Sequence, residues 1–232
     1  MARKRKGRWM TRAAGTLVLL GIVAGGAWWW TLRSWMPDAK QYPVQGVEVG
    51  PLDGTPDFVA LKAIGAQFAY VDATAGAFGS DPSFGRNLEA ARAAGLQVGA
   101  VHLYDPCEPA DRQAARFVTT VPRDAKMLPP AVALDALADS CPLPVSEAAV
   151  QSELTTFVNQ VEIHTGKPVI LQVSPAFEKR YQIAARVDRN LWLVRDRFEP
   201  GYAGRPWMLW TANAHLASDA EDAPLRWVVV QR

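Results

Sequence analysis

Hydrophobic and polar positions divide the chain into an apolar block and a mixed remainder. Residues 13–30 carry no charge at all. A membrane span needs ~20 apolar residues, with a range of ~17–25, so this block predicts one transmembrane helix. Residues 31–43 read as a short tether. After it, short apolar runs alternate with stretches whose apolar residues recur at helical spacing. The runs predict strands at 44–49, 67–71, 97–104, 131–137, 168–173, 191–194, 206–210 and 226–230. Between them the pattern predicts a helix over 57–64 that stops at Gly65, and one capped by Ser80 or Asp81 and ended by Gly95. It predicts a third over 109–120. A fourth is capped by Ser146, with Val150, Leu154, Phe157, Val158 and Val161 on one face. A fifth starts at Ser174–Pro175. Alternating strands and helices imply a parallel sheet with helices outside it. Five strand–helix units followed by three strands predict an α/β fold, a TIM-like barrel of the (β/α)5(β)3 type behind the N-terminal helix. Its ~190 residues are fewer than the ~250 typical of a full eightfold barrel.

Charge sharpens the N-terminal reading. The 232 residues hold 25 Lys and Arg against 23 Asp and Glu, a net of +2. Residues 1–40 take eight of the basic residues and one acid, leaving 17 basic against 22 acidic in the remainder. The net positive charge therefore belongs to the tail, and the folded part lacks the basic footprint of a nucleic-acid binder. Arg3, Lys4, Arg5, Lys6, Arg8 and Arg12 precede the apolar block, and Trp28, Trp29, Trp30 and Trp35 gather at its far end. Basic residues stay on the cytoplasmic side and Trp favours the headgroup interface. The predicted organisation is a basic cytoplasmic tail (1–12), a transmembrane signal anchor (13–35), a linker (36–43) and a barrel (44–232). This is a single pass through the inner membrane with a periplasmic or otherwise extracytoplasmic domain. A cleaved signal peptide, with Gly25 and Ala27 at the cleavage site, is the alternative. Cys107 and Cys141 form an even pair that an oxidising compartment would allow to bridge. Each lies just beyond the end of a predicted strand, the third and the fourth. A bridge would tie two neighbouring loops, and free thiols are the alternative. His102, His164 and His215 have no metal-ligand spacing. No metal or cofactor is expected.

In this class of barrel the chemistry sits at the C-terminal ends of the strands. Gly46-Val47-Glu48-Val49 resembles Gly-Ile-Asp-Val-Ser. Phe68 to Gly76 resembles Phe-x-x-x-Lys-Ala-Thr-Glu-Gly. Gly99-Ala100-Val101-His102-Leu103 resembles Gly-Ala-Tyr-His-Phe, and Leu134-Asp135-Ala136-Leu137 resembles Leu-Asp-x-Glu. Lys167-Pro168-Val169-Ile170, Leu191-Trp192-Leu193 and Trp207 to Thr211 resemble three later motifs. These seven, in order over 44–211, resemble the family-25 glycoside hydrolases, the muramidase-type lysozymes. The resemblance implies a barrel that acts on peptidoglycan glycan strands through carboxyl groups at its mouth.

The departures fall on the polar positions. Glycoside hydrolysis needs a protonated acid at the leaving oxygen and a base, nucleophile or substrate group opposite. Asp135 supplies the first carboxyl of the Asp-x-Glu motif. The second position, the family's proton donor, is Leu137. Losing a general acid costs ~10²–10⁴ in rate. Glu48 replaces the first-strand Asp, Asp72 and Ala75 replace the second-strand Lys and Glu, and Leu225-Arg226-Trp227 lacks the terminal Asp-x-Asn. The leading expectation is a membrane-anchored, peptidoglycan-directed domain with hydrolysis impaired or lost. One alternative is an active N-acetylmuramidase using a repositioned carboxylate (Glu48, Asp105 or Asp139). Another is a non-catalytic protein–protein scaffold. The catalytic candidates are Asp135 and Glu48, each also readable as a structural carboxylate of the mouth. The candidates for substrate binding are His102, Tyr104, Trp192 and Trp210, with core packing as the competing role. Asp72 reads as a polar replacement without a role.

Overall fold

The computed structural model describes the backbone of residues 3–231 and the side chains from Arg12 onward, except Asp222. The basic block at Arg3, Lys4, Arg5, Lys6 and Arg8 lies outside the described side chains. The chain forms two units, Met1–Trp35 and Met36–Arg232. The first is the helix α1 (Arg3–Arg33). Its stretch Arg12–Arg33 is long and apolar enough to cross a membrane, by length and composition; a signal sequence meets the same test. At 1.5 Å per residue it measures about 33 Å, against ~30 Å of bilayer hydrocarbon. Its hydroxyls are satisfied within the helix: Thr16 donates to the Arg12 carbonyl and Thr31 to that of Trp28.

In the second unit the strands are β1 (Gln45–Val49), β2 (Ala66–Ala75), the short β3 (Gly79–Ser80), β4 (Gln97–Leu103), β5 (Ala131–Leu134), β6 (Ile170–Val173), β7 (Asn190–Val194), β8 (Leu209–Ser218) and β9 (Glu221–Val230). They follow the order β1-β9-β8-β7-β6-β5-β4-β2-β3, and β1 also pairs with β2, which closes eight of them into a barrel. Neighbours from β1 to β8 run parallel around the ring, while β9 is antiparallel to both β8 and β1. Outside lie α2 (Phe58–Ala63), α3 (Phe84–Ala93), α4 (Ala110–Thr120), α5 (Glu147–Thr165), α6 (Pro175–Tyr181) and α7 (Ile183–Arg186). Side-chain caps form at three of them, two of which, Ser146 and Ser174, were predicted. Asp57 accepts from the Val59 and Ala60 amides, Ser146 from Ala149, and Ser174 from Phe177 with Pro175 in the first turn. Each satisfies an amide that the helix leaves unpaired.

Period-two alternation divides the strands' inward positions into two tiers. The lower tier is an apolar plug of Phe68, Tyr70, Val101, Ala131, Ile170, Trp192, Leu209 and Val228. Burying one large apolar side chain contributes ~1.5–3 kcal/mol. Space for the aromatic rings comes from two glycines. A methyl at Gly46 would lie 2.3 Å from the Phe68 carbonyl oxygen and 2.6 Å from its ring, and one at Gly99 2.3 Å from the Tyr70 ring. Two residues further along the strands the inward positions turn polar: Glu48 after Gly46, Asp72 after Tyr70, Gln172 after Ile170, Thr211 after Leu209. Arg226 joins them from antiparallel β9, two residues before Val228.

Several boundaries differ from expectation. The fourth predicted strand, 131–137, ends at Leu134, because the Leu134 carbonyl takes the Ser174 amide and the chain then turns out into a short 3₁₀ helix, Ala138–Ser140. The Tyr181 hydroxyl secures that turn by accepting from the Ala138 amide. Helix α3, predicted to be capped by Ser80 or Asp81, starts at Phe84, because Asp81 caps a turn at the Ser83 amide and Gly79–Ser80 pairs with the end of β2. In place of the predicted strands 206–210 and 226–230 stands a hairpin of two ten-residue strands, the first starting only at Leu209, with register shifts after Thr211, Asn213 and Leu216. The predicted linker is docked on the barrel: Pro37 and Tyr42 are buried, and the Gln45 amide donates to both their carbonyls.

Candidate active site

The polar tier opens into a cavity of about 380 Å³ at the C-terminal ends of the strands. Its walls are largely apolar, including Leu103, Ala133, Leu134 and Val194. Its polar groups are Glu48, Tyr104, Asp135, Gln172, Ser174, Thr211 and Arg226. Asp135, just past β5 and in phase with inward-facing Ala133, is exposed and makes no ion pair among the described residues. Glu48 is the opposite case, at 1% exposure. Arg226 Nη1 donates to its Oε1 at 3.0 Å and Gln172 Nε2 to its Oε2 at 2.8 Å. Arg226 Nη2 also reaches Asp72 Oδ2 at 3.1 Å and Asp53 Oδ2 at 3.3 Å.

One guanidinium thus serves three carboxylates in a space largely closed to water. Loss of hydration disfavours the charges on Glu48 and Asp72, and the like charges add to it. Burial raises Glu48 above the usual carboxylate range, against the pull of Arg226 and the Gln172 hydrogen bond. Burial pushes Asp72 up to about 7, with Arg226 opposing and Glu48 reinforcing the rise. For Arg226, burial works against the cation, but the three carboxylates outweigh it. Asp72 Oδ1 and the Tyr104 hydroxyl are buried without a hydrogen-bond partner.

Of the residues expected at the site, the cavity brings together Asp135, Glu48 and Tyr104. The other three lie elsewhere, which corrects their expected place at the mouth. His102 points outward from β4, bonded to Thr74 and Gln113 and stacked on Phe157 of α5, with ring centroids 4.5 Å apart. Trp192 belongs to the apolar plug, its indole N–H bonded to Thr211 Oγ1. Trp210 packs against Tyr42 and Trp207 and donates to the Arg195 carbonyl. Of the three alternative acids, Glu48 lines the cavity and Asp139 and Asp105 do not. Asp139 lies 3.9 Å from Arg180, and Asp105 accepts from the Cys107 amide. Gln172, Thr211 and Arg226 were not anticipated. The available signal was a polar residue two positions from an inward apolar one in an otherwise apolar strand. Cys107 and Cys141 are bridged, joining the loops after β4 and β5 that carry Tyr104 and Asp135.

Comparison with known proteins agrees with this architecture. The sequence model of the family described as Glycosyl hydrolases family 25 matches residues 47–215. The uncharacterized protein YegX of Escherichia coli (strain K12) is 25% identical over 191 residues, which span 79% of this chain and 68% of that protein. A family 25 glycosyl hydrolase from Bacillus anthracis superposes with a TM-score of 0.76 at 25% identity, covering 85% of this chain and 92% of that one. The bacterial lysozyme from Streptomyces coelicolor shares the fold, with a TM-score of 0.70 at 20% identity over 82% of this chain and 92% of its own. With the barrel closed, the polar tier at its mouth and the family pattern running through its strands, the chain belongs to glycosyl hydrolase family 25.

Proposed function

We propose that the chain is a membrane-tethered domain directed at the glycan of cell-wall peptidoglycan, with hydrolysis impaired. The likeness to a lysozyme and to a family 25 hydrolase supports the substrate class. The apolar stretch Arg12–Arg33 supports the tether, and a wall-directed domain belongs outside the cytoplasm, where a disulfide persists. One observation carries the loss of hydrolysis: Asp135 stands free at the cavity while the position for its partner is Leu137, half-buried and outside the cavity lining. Retaining glycosidases set two carboxyl groups ~5–5.5 Å apart and inverting ones ~6.5–9.5 Å apart. The second carboxylate of this cavity, Glu48, is held from two sides.

Purified sacculi test the reading. The full chain should co-sediment with them without releasing reducing ends. Leu137→Glu should release them, and Asp135→Asn on that background should abolish the release. Efficient release by the unmodified chain sinks the impaired reading, and absence of sedimentation sinks the glycan reading in favour of a scaffold. A second reading, an active N-acetylmuramidase with Glu48 as the acid, draws support from burial raising Glu48 within the cavity. It requires release by the unmodified chain that Glu48→Gln removes.

A further inference from the structure

The two grips on Glu48 come from distant parts of the chain, 124 residues away for Gln172 and 178 for Arg226. Both carboxylate oxygens accept, and accepting two N–H donors favours the ionised form. Burial works the other way, and the Arg226 charge is the largest influence opposing it. The backbone makes room for this arrangement. A methyl at Gly50 would lie 2.7 Å from Arg226 Nη2, so a residue without a side chain lets the guanidinium reach across the end of β1. Position 72, lysine in the motif that the second strand resembles, is here an acid, and the cation beside it comes from β9. The positive charge at this mouth comes from β9, and it faces Glu48.

We propose that Arg226 is a positioning residue for Glu48: with Gln172 it fixes that carboxylate across the floor of the mouth as a hydrogen-bond acceptor, and so withdraws it from proton donation to a bound glycan. The second clause rests on the glycan reading above; the first does not. The titratable and charged groups around Glu48 are Arg226 from β9, Asp72 from β2, Asp53 from the turn after β1, and Asp135 at the cavity end of β5. Gln172 from β6 and Thr211 from β8 are neutral. Without Arg226, the buried Glu48 and Asp72 and the partly exposed Asp53 face one another with no cation among them. Glu48 then takes up a proton more readily and changes from acceptor to donor.

The test is a carboxyl-carbon NMR titration of Glu48 in the full chain, labelled at glutamate and held in detergent micelles. Arg226→Met should raise the Glu48 midpoint by at least about one pH unit. Arg226→Lys, a point charge without the guanidinium fork, should raise it less. Asp72→Asn removes a competing negative charge and should lower it. Loss of structure would remove the burial that raises Glu48 and so lower its midpoint, which makes the rise in the Arg226 variants the sign that unfolding does not produce; Arg226→Lys carries the test if Arg226→Met does not fold. A Glu48 midpoint unmoved by both Arg226 variants, or raised by Asp72→Asn, overturns the proposal. Release of reducing ends from sacculi by Arg226→Met, lost again with Glu48→Gln, supports the withdrawal clause. A raised midpoint without release upholds the positioning and overturns the withdrawal. Sedimentation of the unmodified chain with sacculi tests the glycan reading separately, since the titration needs no glycan.

Discussion

His102 makes a quantitative prediction about acid. Its Nδ1 lies 2.7 Å from Thr74 Oγ1 and its Nε2 3.1 Å from Gln113 Oε1. The Gln113 amide nitrogen is committed to the Asp105 and Glu108 carbonyls, so its oxygen faces the ring. Nε2 therefore carries the hydrogen, and Nδ1 accepts from the threonine hydroxyl. Phe157 stacks on one face of the ring and Phe117 packs edge-on. Burial in this setting lowers His102 from 6.5 to about 4. Below pH ~6.5 the unfolded chain binds a proton that the folded chain refuses, so this contribution is complete above that pH and is lost as pH falls toward 4. The shift of about 2.5 pH units corresponds to roughly 3.4 kcal/mol in full, and about 2 kcal/mol of it is lost by pH 5. Urea unfolding of the barrel unit and its His102→Gln variant isolates the effect, because the carboxylates titrate in both. The stability advantage of the unmodified protein should shrink by about 2 kcal/mol between pH 7 and pH 5. An advantage that stays constant over that range, or an imidazole nitrogen signal that titrates near 6.5 in the folded protein, refutes the reasoning.

Other perturbations have separate readouts. Reducing the Cys107–Cys141 bridge, which spans a sequence separation of 34, should cost roughly 3–4 kcal/mol by the loop-entropy relation, read as a shift in urea midpoint with and without dithiol. The same reduction should raise amide exchange in residues 135–146 more than in α5. Tyr181→Phe leaves the buried Ala138 amide without its acceptor, at ~1–3 kcal/mol in thermal unfolding. Glu162→Gln disturbs a carboxylate that pairs with Arg189 and accepts from the Val169 amide; the pair is partly exposed, and solvent screening holds its share to ~1 kcal/mol or less, checked by a double-mutant cycle with Arg189→Met.

The strand–helix alternation was legible because each element carries its own period and most carry their own cap. Ser146 and Ser174 announce α5 and α6 in the sequence and cap them in the structure. The hairpin β8–β9 was not legible at full length, because its bulges break the alternation that marks a strand. Asp135 and Glu48 could be found from motif order alone. The placements of His102, Trp192 and Trp210 could not, because strands buried on both faces are apolar throughout and do not reveal which residues point inward. Arg226 escaped notice for another reason. Its three carboxylates lie between 154 and 178 residues away in sequence, and only the closed ring brings β9 against β1 and β2.

The glycines beneath the aromatic rings of the plug also bear on how this sequence can drift. Gly46 faces the Phe68 ring and Gly99 the Tyr70 ring, each at a spacing that admits no added carbon. Neither glycine can gain a side chain while its ring remains, and trimming a ring while its glycine remains leaves a hole. Gly99 and Tyr70 are therefore expected to change together, whereas Gly46, which the Phe68 backbone carbonyl also blocks at 2.3 Å, is expected to stay glycine whatever stands at 68. Among distant relatives, a residue larger than glycine at position 99 should be accompanied by a smaller one at 70, which makes the paired exchange a signature of barrel packing that can be sought independently of the residues at the mouth.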